Sequence, residues 1–132
     1  MQSYALMLQA DEDDQFLTES ILLEMQRKIP MQFVSGIKQM NLTIADLGLP
    51  TVIMVNNDNH RHNAINLVRV LKADPQLDHI PIIVLGEITT PEYIRQFYRA
   101  GANTYITKPS TIAATRKKIE TFLDYWFTVA EV

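Results

Sequence analysis

Side chains with oxygen or nitrogen groups must carry any chemistry of this 132-residue chain, because the sequence contains no cysteine. The densest set is the acidic run Asp11, Glu12, Asp13 and Asp14. Hard divalent cations prefer carboxylate ligands, so this run is one candidate metal site. The same run also suits the first turn of a helix, where the helix dipole favours negative charge. The helix start is the favoured interpretation, and the metal site is the alternative.

A second polar segment, His60, Arg61 and His62, contains groups that bind metals or phosphate. The two histidines lie in a predicted loop, and the sequence assigns no third ligand to them. An ordinary solvated loop is therefore favoured over a metal site or a phosphate clamp.

Composition excludes several classes of protein. The net charge is −3 and the basic residues are dispersed, so neither nucleic acid nor an acidic membrane surface is an expected partner. The sequence has no apolar run of the roughly 18 to 20 residues that a membrane span needs. Met1 to Ala10 lacks the basic start of a secretory signal, which favours a cytoplasmic location. The length predicts a single domain over residues 1–132.

Apolar runs of strand length alternate with segments of helix length, which predicts βαβ units and a parallel sheet. The third and fourth runs are apolar at nearly every position, so they belong in the middle of the sheet. The fold class is α/β, a doubly wound five-stranded parallel sheet with helices on both faces. The predicted strands are Tyr4 to Leu8, Met31 to Ser35, Thr51 to Asn56, Ile80 to Leu85 and Asn103 to Thr107.

Apolar residues at helical spacing predict the helices between these strands. Proline at position 91 suits a first helical turn, and Gly101 suits a helix end. The second helix has the weakest pattern. The predicted helices cover residues 13–28, 37–47, 63–73, 91–100 and 111–127.

Ligands of an open parallel sheet bind in the crevice at the carboxyl ends of its strands. The residues that follow or close the predicted strands there are Gln9, Ala10, Asn56, Gly86 and Lys108. The central position of this predicted site is therefore an amide, Asn56, rather than a carboxylate.

The closing segment Ala100-Gly101-Ala102-Asn103-Thr104-Tyr105-Ile106-Thr107-Lys108-Pro109 resembles the receiver domains of two-component response regulators, which have the chemotaxis-protein-like, flavodoxin-like fold. The opening Asp11-Glu12-Asp13-Asp14-Gln15-Phe16-Leu17, the pair Leu49-Pro50 and the spacing from Asn56 to Gly86 and on to Lys108 also fit. The resemblance covers nearly the whole chain.

This resemblance implies an acidic pair for Mg²⁺, an aspartate phosphoacceptor, a hydroxyl residue and a lysine at the strand ends. Lys108 matches the lysine and Tyr105 matches the aromatic switch residue. The other positions have departed from the pattern: they are Gln9 and Ala10 at the acidic pair, Asn56 at the phosphoacceptor and Gly86 at the hydroxyl. Since an amide is a poor nucleophile, phosphoryl transfer at Asn56 is not expected. Lys108 is then either a residual anion site or a surface lysine.

The resemblance implies a pseudo-receiver, a protein-interaction module that is not an enzyme and binds Mg²⁺ weakly or not at all. Its protein partner is expected on the fourth helix, the fifth strand and the fifth helix. Aromatic residues of that region are Tyr93, Tyr98, Tyr105, Tyr125, Trp126 and Phe127.

Two alternatives remain open at this point. The chain is a phosphorylatable receiver if a substitute carboxylate such as Asp58 or Asp11 takes part, or if the alignment at the first strand shifts by one or two residues. A flavodoxin-like small-molecule binding domain is the weaker alternative, because the sequence has none of the usual phosphate-binding glycine motifs.

Overall fold

The computed structural model describes residues 4–8, 30–57, 64–86, 89–107, 117–118, 121 and 125. Within these residues the strands are β1 (Ala5–Leu8), β2 (Met31–Val34), β3 (Val52–Asn57), β4 (Ile82–Gly86) and β5 (Thr104–Thr107). The helices with complete bounds are α1 (Ile37–Leu47), α2 (Ala64–Ala73) and α3 (Pro91–Ala100). They correspond to the second, third and fourth helices predicted from the sequence. The predicted helix over residues 13–28 lies outside the described residues, and most of the one over 111–127 does too.

The strands form one parallel sheet in the order β2-β1-β3-β4-β5. The described residues of β1 are all buried, and so are those of β3 from Val52 to Asn56, whereas β5 is half-buried along its whole length. Burial on both faces explains why the central strands are apolar at nearly every position. The predicted fold class and the interior position of the third and fourth strands are confirmed.

Both faces of the sheet are covered. Successive strand residues point to opposite faces. Leu6, Ile53 and Val84 belong to one packed cluster with residues of α1, α2 and α3, including Met40, Leu71 and Phe97. On the other face Ala5, Met7, Val52, Met54 and Ile83 are also buried, with exposed fractions of 0 to 1%.

Local sequence signals set the helix ends. The side chain of Gln39 accepts hydrogen bonds from the backbone N–H and the hydroxyl of Ser35 at 2.8 and 2.9 Å, just before α1. At α3, the Thr90 hydroxyl accepts from the N–H of Tyr93 at 3.3 Å, and Gly101 ends the helix with a φ of 118°. These bounds agree with the sequence predictions for α1 and α3.

The strand bounds differ from the predictions by one or two residues. β3 and β4 each continue one residue further, because Asn57 pairs with Gly86. β4 begins at Ile82 rather than Ile80, because the N–H of Ile80 donates to Leu77 in a turn and the intervening Pro81 has no N–H to donate.

At the amino edge of the sheet, where the strands begin, several side chains form hydrogen bonds to backbone groups of other segments. The hydroxyl of Tyr4 donates to the carbonyl of Gly48 in the loop before β3. Burial raises the pKa of Tyr4, whose exposed fraction is 3%. The side-chain oxygen of Asn103 accepts from the N–H of Ile82 at 2.9 Å, and the N–H of Asn103 donates to the Ile82 carbonyl at the same distance.

Lys72 is the third side chain that bonds to backbone groups at the amino edge. Its ammonium donates to the carbonyls of Asp78 and Ile80, both at 3.1 Å, and thereby holds the loop before β4. Partial burial lowers the pKa of Lys72, an effect that the nearby Asp78 carboxylate opposes. The stem of Lys72 lies so close to Gly101 that a Cβ added there would come within 2.5 Å of the Lys72 Cγ.

Candidate functional site at the carboxyl edge of the sheet

The strand ends predicted to form the site meet at the carboxyl edge of the sheet. Leu8, the last residue of β1, pairs with Val55, the residue before Asn56. Asn56 pairs with Leu85, and the next row pairs Asn57 with Gly86 and Gly86 with Thr107. The structure therefore brings two predicted site residues, Asn56 and Gly86, onto neighbouring rows of two hydrogen-bonded strands.

Asn56 is buried, with an exposed fraction of 1%, and is the buried polar side chain within the described part of the chain. An amide is neutral, so its burial avoids the large desolvation cost of a charged carboxylate. By strand alternation its side chain belongs to the face of Val52 and Met54, opposite α1, α2 and α3. Asn56 is thus a neutral group that stands at the centre of the predicted site.

Gly86 is buried at the end of β4 and has no side chain to offer a hydroxyl. None of the described strand-end residues carries a carboxylate: they are Leu8, Val34, Asn57, Gly86 and Thr107. Over the residues that the structure describes, no three acidic or histidine side chains are close enough to hold a metal ion together. The amide oxygen of Asn56 alone does not make a Mg²⁺ site, since such sites use one or two carboxylates.

Several predicted site residues lie outside the described residues. They are Gln9, Ala10, Asp11, Asp58 and Lys108, together with His60 and His62. Their roles stay predictions.

Tyr105 is half-buried on β5, and both its ring and its backbone N–H contact residues of α3. Its ring centroid lies 5.3 Å from that of Phe97, which in turn packs edge-to-face against Tyr93 at 5.3 Å. Its backbone N–H donates to the hydroxyl of Tyr98 at 3.0 Å. Tyr98 and Tyr125 are 46% and 50% exposed. The aromatic set is therefore divided between core and surface, while Trp126 and Phe127 lie outside the described residues.

Lys118 is a residue near the carboxyl edge that the sequence did not indicate. Its ammonium donates to the carbonyl of Thr107 at 2.8 Å, at the last residue of β5. Lys118 belongs to the basic run Arg116, Lys117 and Lys118, and no spacing distinguishes one member of this run from the others.

Comparison with known proteins identifies the fold. A response regulator of red-light signalling from R. palustris has a TM-score of 0.84 and 20% identity over 97% of this chain and 96% of its own. A phosphorylated cyanobacterial phytochrome response regulator has a TM-score of 0.80 and 19% identity over 99% of this chain and 98% of its own. The fold is that of a response-regulator receiver domain.

Sequence comparison supports this receiver fold over part of the chain. The chemotaxis protein CheY-3 of Vibrio cholerae is 34% identical over 56 residues, which are 42% of this chain and 43% of that relative. The chain thus matches less than half the length of this curated relative. No family model matches the sequence.

Placed on the receiver fold, Asn56 and Gly86 stand at the strand ends to which the sequence resemblance assigns the phosphoacceptor and the hydroxyl residue. The structure confirms that these two positions adjoin. None of the described helices has the length and apolar character that a membrane span requires.

Proposed function

We propose that this chain is a receiver-type protein-interaction module of a two-component pathway that does not transfer a phosphoryl group at position 56. The observation that carries the proposal is the buried amide of Asn56 in β3, next to the row in which Asn57 pairs with Gly86.

The chemistry of phosphoryl transfer supports this proposal. A phosphoacceptor needs a nucleophilic oxygen, which a carboxylate has and the amide of Asn56 lacks. Stabilising the transferred group needs positive charge and hydrogen-bond donors around it. Gly86 provides no hydroxyl for this purpose, and the described strand ends provide no carboxylate for Mg²⁺. We therefore expect weak or absent Mg²⁺ binding and no enzymatic activity.

We propose that the protein partner binds at α3, β5 and the segment that contains residues 117–125. Tyr98 and Tyr125 are about half exposed there, and tyrosine is enriched in protein interfaces. The partly buried Tyr93 and Tyr105 in the same region pack against the buried Phe97, which fixes them to the core. A cytoplasmic location suits such a pathway and stays part of the proposal.

The direct test is incubation of the chain with a small phosphodonor and Mg²⁺, followed by intact mass measurement. We expect no mass gain, whereas a phosphorylatable receiver treated in parallel gains one phosphoryl group. A stable acyl phosphate on this chain would overturn the proposal. In that case Asp58→Ala and Asp11→Ala, compared one at a time, would identify the substitute acceptor.

A Mg²⁺ titration followed by amide NMR gives a second and independent readout. We expect the amide signals of Asn56, Asn57 and Gly86 to stay unchanged as Mg²⁺ is added. Saturable shifts of these signals would show that carboxylates outside the described residues complete a metal site at this edge.

A further inference from the structure

The outer edge of β5 makes hydrogen bonds to side chains where a further strand would otherwise add. β5 lies at the end of the sheet and pairs with β4 on its inner side. The N–H of Tyr105 donates to the hydroxyl of Tyr98 at 3.0 Å, and the carbonyl of Thr107 accepts from the ammonium of Lys118 at 2.8 Å. Residues two apart in a strand direct their backbone groups to the same side, so the bonds of Tyr105 and Thr107 lie on one side of β5. Since their partners belong to α3 and to the segment after β5 and not to β4, that side is the outer edge.

These two bonds have the same donor and acceptor pattern as bonds to a neighbouring strand. The Tyr98 oxygen accepts from β5 as a strand carbonyl would, and the Lys118 ammonium donates to β5 as a strand N–H would. Tyr98 comes from the last turn of α3, and Lys118 comes from the segment after β5. Two separate segments therefore reach the same edge strand.

An exposed strand edge is a template for pairing with another chain, and a second copy is always available as a partner. If two copies paired about a two-fold axis through Ile106, their β5 strands would run antiparallel. Tyr105 would then face the second copy's Thr107, and the Tyr105 N–H would donate to the carbonyl of that residue. These are the two backbone groups that Tyr98 and Lys118 occupy.

We propose that Tyr98 and Lys118 are edge guards that prevent β5 from pairing with the β5 of a second copy. In addition to occupying the two backbone groups, Lys118 places a charge at the edge, and two such charges would meet in the paired copies. The guards thereby keep the surface formed by α3 and β5 available to a different partner. This proposal does not depend on whether position 56 is phosphorylated.

The test compares the double variant Tyr98→Phe, Lys118→Met with the matched control Tyr125→Phe, Lys117→Met. The first pair removes the hydroxyl and the ammonium from the β5 edge while keeping the ring and the aliphatic stem. The control removes the same groups from two exposed side chains and leaves the Tyr98 hydroxyl and the Lys118 ammonium at the β5 edge in place. Sedimentation velocity reports mass against concentration, and amide hydrogen exchange reports on single residues.

Dilute Tyr98→Phe is expected to exchange the Tyr105 amide roughly threefold to tenfold faster than the wild type, because one hydrogen bond is lost. The double variant is expected to dimerise as concentration rises and to regain protection at Tyr105, while the control and the wild type stay monomeric. Three results would overturn the proposal: unchanged exchange of Tyr105 in Tyr98→Phe, a double variant that stays monomeric at every soluble concentration, or association without renewed protection at Tyr105.

Discussion

At the amino edge of the sheet, Tyr4, Lys72 and Asn103 form hydrogen bonds to backbone groups of the loops before β3 and β4 and of the first residue of β4. At the carboxyl edge, by contrast, the described strand ends include an amide and a glycine. At the carboxyl edge, Asn56 and Gly86 occupy the place where a parallel sheet binds ligands. The hydrogen bonds that stabilise the fold therefore lie at the amino edge, and the candidate functional site lies at the carboxyl edge.

This division implies that substitutions at the two edges should have separable effects. Changes at the amino edge should reduce the free energy of unfolding in proportion to the backbone contacts that they break. Changes at the carboxyl edge should alter the chemistry of the site with smaller effects on stability.

The largest effect is expected for Gly101→Ala at the amino edge. The φ of 118° disfavours any side chain, and the new Cβ would meet Lys72 at 2.5 Å. We expect the free energy of unfolding to fall by about 2 kcal/mol in urea denaturation. The matched control is Gly36→Ala, where φ is −178° and no atom lies within 4 Å of the added Cβ. An equal loss in both variants would remove the special role of Gly101.

Tyr4→Phe should have the next largest effect, because it removes the hydrogen bond to Gly48. At neutral pH we expect a loss of about 1 kcal/mol. Burial raises the pKa of Tyr4 above its ordinary value of 10.0, so the wild type loses stability as the pH rises above 10.0. Tyr4→Phe lacks this loss.

The difference between wild type and Tyr4→Phe should therefore shrink when urea denaturation is repeated at about pH 11. A difference that stays constant between neutral and alkaline pH would show that the Tyr4 hydroxyl is not desolvated in the fold.

The smallest effect is expected for Thr90→Ala, at the carboxyl-edge start of α3. The capping hydrogen bond to Tyr93 is 3.3 Å long and exposed, so the loss should be about 0.5 kcal/mol. Thr90→Ser keeps the hydroxyl and should retain the stability of the wild type. A loss in Thr90→Ala as large as that in Gly101→Ala would contradict the division between the edges.

The sequence predicted the parts of the fold that depend on local pattern. Pro91 and Gly101 mark the start and end of α3, and the bounds of α1 agree with the prediction although its apolar pattern is the weakest among the helices. The interior position of β3 and β4 was predicted from their strong apolar runs, whereas the order of the strands was not predicted. The extension of β3 to Asn57 was missed, because it depends on pairing with Gly86, which lies 29 residues further along the chain, and not on the local sequence pattern.

The candidate site was predicted only as far as strand ends and a family resemblance allow. They located Asn56 and Gly86, which the structure brings together. The hydrogen bonds of Lys72 and Lys118 were not predicted, since each joins a side chain to a carbonyl eight or eleven residues away, outside its own helical turn. A basic residue in a sequence carries no sign of which carbonyl it will reach.

The most direct test of the central claim is phosphorylation of the single variant Asn56→Asp by a small phosphodonor, with and without Mg²⁺. The substitution restores a nucleophilic carboxylate, but Gln9, Ala10 and Gly86 are unchanged. We predict no strong Mg²⁺-dependent mass gain, because positions 9 and 10 still lack the acidic pair for Mg²⁺ and position 86 still lacks the hydroxyl. Robust Mg²⁺-dependent phosphorylation of Asn56→Asp would contradict the account, since it would show that carboxylates elsewhere already complete the metal site.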